Sequence, residues 1–215
     1  MKRREFLQSA AIVPACVAGS HWSVFAARTV DAAKLSRISA VVYDERYADC
    51  RIFADTLARH GAVALPSSGD AVRVWYGALR KHLAHDPGFV AGFTTDSDLT
   101  VSRECGRELG LRLVYEGSHD SRASNRLTHR LRGTGAEKEV YAALLRDDMA
   151  WPEAIANALG RQPLAARLAN VIAGAPVIAT PHFATHPAYI TSWLLEAKSP
   201  RACLRPPPAA SGFRA

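Results

Sequence analysis

The chain has 215 residues, 48% of them hydrophobic and 22% charged, with a formal net charge of +7 at pH 7. That length can bury one sizeable core, so a single domain is the default. The positive excess is too modest for a nucleic-acid footprint, and no apolar run reaches the roughly 20 residues that span a bilayer.

The chain opens Met1-Lys2-Arg3-Arg4-Glu5-Phe6-Leu7-Gln8, continues through an apolar stretch from Ala10 to Gly19, and exits through Val24-Phe25-Ala26. Arg3-Arg4 with Phe6 and Leu7 resembles the twin-arginine export signal of bacteria, with Lys2 and Gln8 in place of the more usual Ser/Thr and Lys. The stretch contains Pro14 and is too short to anchor, so it reads as removable, with cleavage after Ala26. The resemblance implies recognition by the twin-arginine translocation machinery, passage across the membrane in a folded state, and residence in the periplasm without a membrane span. Cleavage takes away three basic residues and one acidic residue, leaving a charge of +5. On this reading residues 1–26 are signal, 27–199 an α/β domain, and 200–215, with Pro206-Pro207-Pro208, a disordered tail.

Cys50, Cys105 and Cys203 remain after cleavage and form no CxxC pair, which argues against a thiolate zinc site. Cys203 sits beside the proline-rich tail and reads as exposed. Cys50 and Cys105 fall on inner helix faces on opposite sides of a sheet, so both are expected to be buried, reduced and unable to pair.

In chain order, Leu35 to Asp44 is apolar and β-branched and predicts a buried strand. A helix follows with Cys50, Phe53, Ala54, Leu57 and Ala58 on one face, closed by Gly61. Ala62 to Leu65 predicts a second strand. Asp70 caps a second helix whose inner face is read as Val72, Trp75, Tyr76, Leu79 and Leu83. Phe89 to Phe93 is a third strand. Thr94 to Asp98 opens a third helix, with Val101, Cys105 and Leu109 in line and Gly110 at its end. Leu111 to Tyr115 is a fourth strand.

Beyond it the pattern weakens. Ser118 to Gly135 is polar and arginine-rich and reads as a loop followed by a strand, and Glu137 to Leu145 reads as a helix or a returning strand, with the strand preferred. Pro152 starts a helix ending at Gly160, and Pro163 starts another running to Ala173. Val177 to Ala179 reads as a fifth parallel strand, and Tyr189 to Leu195 as an antiparallel strand at the sheet edge. The whole predicts a single three-layer α/β domain with a mostly parallel open sheet, doubly wound and flavodoxin-like.

In such a sheet, ligands bind in the crevice outside the carboxyl ends of the strands. That rule selects Asp44 and Glu45 after the first strand and Ser67 after the second. After the third it selects Thr94, Thr95, Asp96 and Ser97, and after the fourth His119. Three chemistries fit these residues. One is a small polar ligand held by hydroxyls and amides at the third helix N-terminus, where Asp96 and Asp98 disfavour a strongly anionic one. Another is a hydrolase with Ser97 or Ser67 as nucleophile and His119 as base beside Asp120 or Asp44, although no Gly-x-Ser-x-Gly elbow is present. The last is a divalent metal on Asp44, Asp96 and Asp120.

Capping is the plainer account of Asp96 and Ser97, and Thr95 with Asp98 has the spacing of a variant capping box. His182 and His186 have i, i+4 spacing, but Pro181 and Pro187 favour a turn over a zinc-binding helix. The glycines form no dinucleotide fingerprint, and the arginines from Arg122 to Arg132 have no interleaved aromatics for stacking on bases. No resident cofactor, metal or nucleic-acid partner is therefore expected. The leading reading is a periplasmic binder of a small polar ligand. The others are a hydrolase and an accessory protein that meets a partner enzyme through an edge strand near Trp193.

Overall fold

The computed structural model describes residues 37–121, 126–146, 148–161, 177–181 and 189–197. The signal segment, the 163–173 helix, His182, His186, Cys203 and the tail lie outside these residues. Strands β1 (Ile38–Tyr43), β2 (Val63–Pro66), β3 (Phe89–Thr94), β4 (Leu111–Asp120), β5 (Arg126–Gly133), β6 (Val177–Pro181) and β7 (Tyr189–Ala197) form one mixed sheet in the order β2-β1-β3-β7-β4-β5-β6. Parallel pairing is confined to β2-β1-β3, whereas β7 pairs antiparallel with both β3 and β4, and β4-β5-β6 continues antiparallel. The 2-1-3 start is that of a doubly wound sheet, and the order departs from that pattern after β3.

Helices cover both faces of this α/β domain. On the first face lie α1 (Ala48–Arg59), α4 (Ala136–Arg146) and α5 (Trp151–Gly160), packed through Phe53, Leu57, Val140, Leu144 and Ile155 onto Phe93, Leu131, Ile190 and Leu194. On the second face lie α2, built of the consecutive pieces Ala71–Val74, Trp75–Leu79 and Arg80–His85, and α3 (Asp96–Glu108). Their core is Trp75, Leu79, Leu83, Leu99 and Leu111, with Val90, Trp193 and Leu195 from the sheet. Cys50 belongs to the first core and Cys105 to the second, and both are buried free thiols. Burial raises both thiol pKa values.

Several elements differ from the sequence reading. The strand at Tyr189 to Leu195 is antiparallel as expected, but it lies in the middle of the sheet. Residues 190–195 are buried along both faces, which an edge position does not allow, so Trp193 is no exposed docking residue. Glu137 to Leu145 is helical, because Val140, Ala143 and Leu144 recur at helical spacing and cover β4, β5 and β6. Val177 to Ala179 is an edge strand whose partner β5 runs antiparallel to it.

In α2, Val72 and Tyr76 are about half exposed, and the buried row is Ala71, Trp75, Leu79 and Leu83. A strict i+4 row drifts around an α-helix, and the π turn at Trp75–Leu79 takes up that drift. In α1 Thr56 takes the buried place expected of Ala58, and in α3 the buried row is Leu99, Ser102 and Cys105, with Val101 and Leu109 only half-buried.

Two backbone features set how the central strands fit together. Gly92 on β3 lies under the Trp193 ring, where a Cβ would come within 2.0 Å of ring carbons. In β4 the register against β7 shifts between Leu113 and Tyr115, so Val114 is an extra residue. Thr134 N–H donates to the Val114 carbonyl at 3.0 Å and holds the bulge closed. Leu111 and Leu113 face the second core, whereas Tyr115 and His119 face the first.

Gly92→Ala should lower the unfolding free energy by about 1–3 kcal/mol through overpacking. Urea denaturation measures this, and an unchanged midpoint would mean that Trp193 does not lie against β3.

Candidate functional site

The carboxyl ends of β1, β2 and β3 bring part of the expected set together on the second face. Asp44 follows β1 with its side chain fully buried. Arg46 grips it as a fork, Nε donating to Oδ1 at 2.8 Å and Nη2 to Oδ2 at 2.6 Å, while Arg46 N–H donates to Oδ1 at 3.2 Å. This bidentate geometry is the strong form of an ion pair. It raises the pKa of Arg46 and so holds the guanidinium firmly charged, although that side chain is half exposed.

Ser67 closes β2, is buried, and donates its hydroxyl to Asp98 Oδ2 at 3.4 Å. Asp98 stands in the first turn of α3 and is 7% exposed. Burial raises its carboxyl pKa, the nearby Asp44 charge adds to this, and the Ser67 hydrogen bond and Arg46 oppose it.

The loop after β2 completes the cluster. Ser68 has φ +48° and Gly69 φ +81°, so a serine takes the left-handed conformation beside a glycine that has little alternative. The Ser68 hydroxyl donates to the Glu45 carboxylate. A Cβ on Gly69 would come within 3.1 Å of Arg46 Nη2, so the bare backbone lets the guanidinium lie down over the turn. Asp70 then caps α2 by accepting the Arg73 amide at 3.0 Å.

The other predicted residues have structural work or lie apart. Thr94 is buried, accepts from Trp193 Nε1 at 3.0 Å and donates to the Thr95 carbonyl at 3.2 Å. Thr95 caps α3 by accepting the Asp98 amide, and its hydroxyl lies 3.0 Å from the Ser97 hydroxyl. Asp96 and Ser97 are exposed at the helix start, where Thr95 supplies the cap.

His119 is not in a loop. β4 runs on to Asp120, paired on both sides, so His119 is a buried strand residue on the first face. Its Nε2 lies 2.8 Å from Ser192 Oγ and its Nδ1 2.8 Å from His129 Nδ1. The structure therefore does not form the expected pairs of His119 with Ser97 or Ser67, both of which belong to the second face. Among the described residues no group of three or more His, Cys, Asp or Glu side chains is arranged to hold a metal ion, so Asp44, Asp96 and Asp120 do not converge.

Protein-family models, curated proteins and solved structures give no match to this chain. The site therefore rests on its own geometry. Sequence reasoning passed over Arg46 and placed Asp98 only as a negative charge and capping partner at the third helix N-terminus. Their signal was position alone: Arg46 two residues after a strand-end acid, and Asp98 in the first turn of the helix opposite.

The raised carboxyl of Asp98 carries a sign. Its folded pKa lies above the unfolded value of about 3.8, so the native state binds the proton more tightly. The associated stability is fully present below that value and is lost as pH rises through the folded pKa. Asp98→Asn should flatten this acid-side fall in melting temperature. An Asp98→Asn curve that still parallels the parent would remove Asp98 as its cause.

Proposed function

We propose that this chain is an exported periplasmic protein that binds a small polar ligand at the carboxyl ends of β1, β2 and β3. The observation that carries the reading is the pair of buried acids, Asp44 and Asp98, served by the single half-exposed guanidinium of Arg46. Replacing a buried ionic group by well-packed apolar residues is often neutral or stabilising by about 1–4 kcal/mol, so stability alone gives little reason to keep it. The left-handed Ser68 beside it adds strain of order 1–3 kcal/mol at the same spot. The 2-1-3 strand order supports the location, because open α/β sheets bind ligands outside their carboxyl strand ends.

The carboxylates of Asp44, Asp98 and Glu45 against the Arg46 guanidinium leave negative charge in excess when they are ionised. The ligand is therefore neutral or cationic and rich in hydrogen-bond donors, a polyol or a small amine rather than a phosphate or carboxylate. On this reading the half-exposed Arg46 supplies donors to the ligand, Asp44, Asp98 and Ser67 lie buried beside it, and Ser68-Gly69 is the adjoining turn. Arg3-Arg4 with Phe6 and Leu7 supports the export half of the reading. Among the described residues no helix is long and apolar enough to cross a membrane.

Binding is tested by a thermal-shift panel of polyols, amines and organic acids on the whole chain. A member of the first two classes should raise the melting temperature, and Asp44→Asn with Asp98→Asn should abolish that gain. A response confined to the acids, or one that survives both substitutions, would sink the site. Export is tested separately by fusing residues 1–26 to a reporter that must cross the membrane folded. Export of that reporter should stop when Arg3 and Arg4 are both changed to Lys.

A further inference from the structure

On the first face, His119 of β4 and His129 of β5 are direct cross-strand partners, and their Nδ1 atoms lie 2.8 Å apart. Each ring nitrogen on the far side meets a hydroxyl: His119 Nε2 lies 2.8 Å from Ser192 Oγ, and His129 Nε2 lies 2.9 Å from Thr180 Oγ1. Ser192 Oγ in turn lies 3.0 Å from the Tyr115 hydroxyl. Five side chains from four adjacent strands, β7, β4, β5 and β6, thus form one hydrogen-bonded chain. Thr180 is 7% exposed, and the other four are 1% exposed or less. Trp151 stands over both imidazoles, with ring centroids 4.9 and 5.2 Å away, and Phe93 meets His119 edge-on at 5.5 Å.

Two nitrogens 2.8 Å apart hold one hydrogen between them: two hydrogens collide, and none leaves lone pair against lone pair. When the pair is neutral, the imidazoles are therefore in opposite tautomers. If His119 carries the Nδ1 hydrogen, its Nε2 accepts from Ser192, Ser192 accepts from Tyr115, and His129 Nε2–H donates to Thr180. If His129 carries it, every one of these bonds reverses. A gained proton fills the remaining Nε2 position. A second gained proton would put two hydrogens between the Nδ1 atoms. The pair therefore has two charge states, 0 and +1.

We propose that His119 and His129 form a single-proton site, an acid–base pair separate from the strand-end cluster, loaded through Thr180 and ending at Tyr115. Direction follows from the two ends. Thr180 belongs to the edge strand β6 and retains some exposure. Tyr115 is in the core, and burial holds its hydroxyl pKa far above the ordinary value, so it stays protonated and closes the chain. In the loading step, from the tautomer in which His129 carries the shared Nδ1 hydrogen, the Thr180 hydroxyl passes its hydrogen to His129 Nε2 and takes one from a hydronium ion. A water molecule is released, and the charge moves onto the imidazole pair. Among the described residues, the side chains surrounding the pair from β3, β4, β6, β7 and α5 are uncharged: Phe93, Tyr115, Thr180, Ser192 and Trp151. The buried acid of this face, Glu137 at the start of α4, accepts the Gly135 amide at 2.7 Å.

The test is nitrogen-15 imidazole NMR on the whole chain, with chelator present, across an acid titration. At neutral pH one of the two rings should show a protonated Nδ1 and the other a protonated Nε2. On acidification the pair should gain one proton in all while the chain stays folded. Identical tautomers, or uptake of two protons by the folded pair, would overturn the proposal, as would one equivalent of zinc shifting both rings once chelator is omitted. Thr180→Val keeps shape and removes the outer link. It should leave the tautomers unchanged and slow exchange of the imidazole hydrogens with solvent at least tenfold. Unchanged exchange would remove Thr180 as the entry.

Discussion

The fold depends on β7 standing between β3 and β4. Without it β2-β1-β3 and β4-β5-β6 are separate half-sheets, since no pairing joins them directly. The insertion is specific at one point, where Trp193 lies flat over Gly92 and its indole N–H donates to Thr94. A side chain on β3 at that position would push the two strands apart. The neighbouring residues of β7 then act on both faces. Thr191 ties down the carbonyl of Thr94 on the β3 side, and Ser192 reaches the Tyr115 and His119 groups of β4.

Two polar groupings result, at the same end of one sheet but on opposite faces. They solve the cost of burial differently. Asp44 and Arg46 are a charged pair kept affordable by a half-exposed guanidinium and a bidentate fit. In the histidine chain each ring nitrogen and hydroxyl has a partner within 3.0 Å, which removes the larger penalty of an unmet buried donor. Asp98 lies between these cases. It is buried, served by one long hydrogen bond from Ser67, and left with a raised pKa.

Much of residues 37–115 was readable because local signals agreed. β-branched runs, Asp70 and Thr95 as caps, and Gly61 and Gly110 as stops each specified one boundary without help from distant residues. The second half was obscured by long-range partners. Tyr189 to Leu195 alternates like an edge strand, and only the covering of both faces reveals it as central. His129 sits in a good alternation, Leu127-x-His129-x-Leu131, broken to the eye by the arginines on the solvent side. Val140, Ala143 and Leu144 carry the helical period, which decides for the helix over the strand preferred for the same segment. At the site, the strand-end rule found Asp44 and Ser67. Arg46 and Asp98 became members only once the third helix was set against the first two strands.

The bulge at Val114 has a consequence best put in terms of a reading frame. Side chains in a strand alternate between two faces, so one extra residue acts as a frameshift: everything before it is read by one face and everything after it by the other. Upstream of Val114 the odd-numbered residues of β4 belong with α3. Downstream, the odd-numbered Tyr115, Gly117 and His119 turn away from that face. Pairing Val114 with Leu194 in a bulge-free strand would carry Tyr115 and His119 to the wrong side of the sheet, whereas deleting Val114 would leave Leu113 and Tyr115 opposite Leu195 and Leu194, on the faces they already occupy. The histidine site is thus encoded as much by the register in which β4 pairs with β7 as by the identities of its residues.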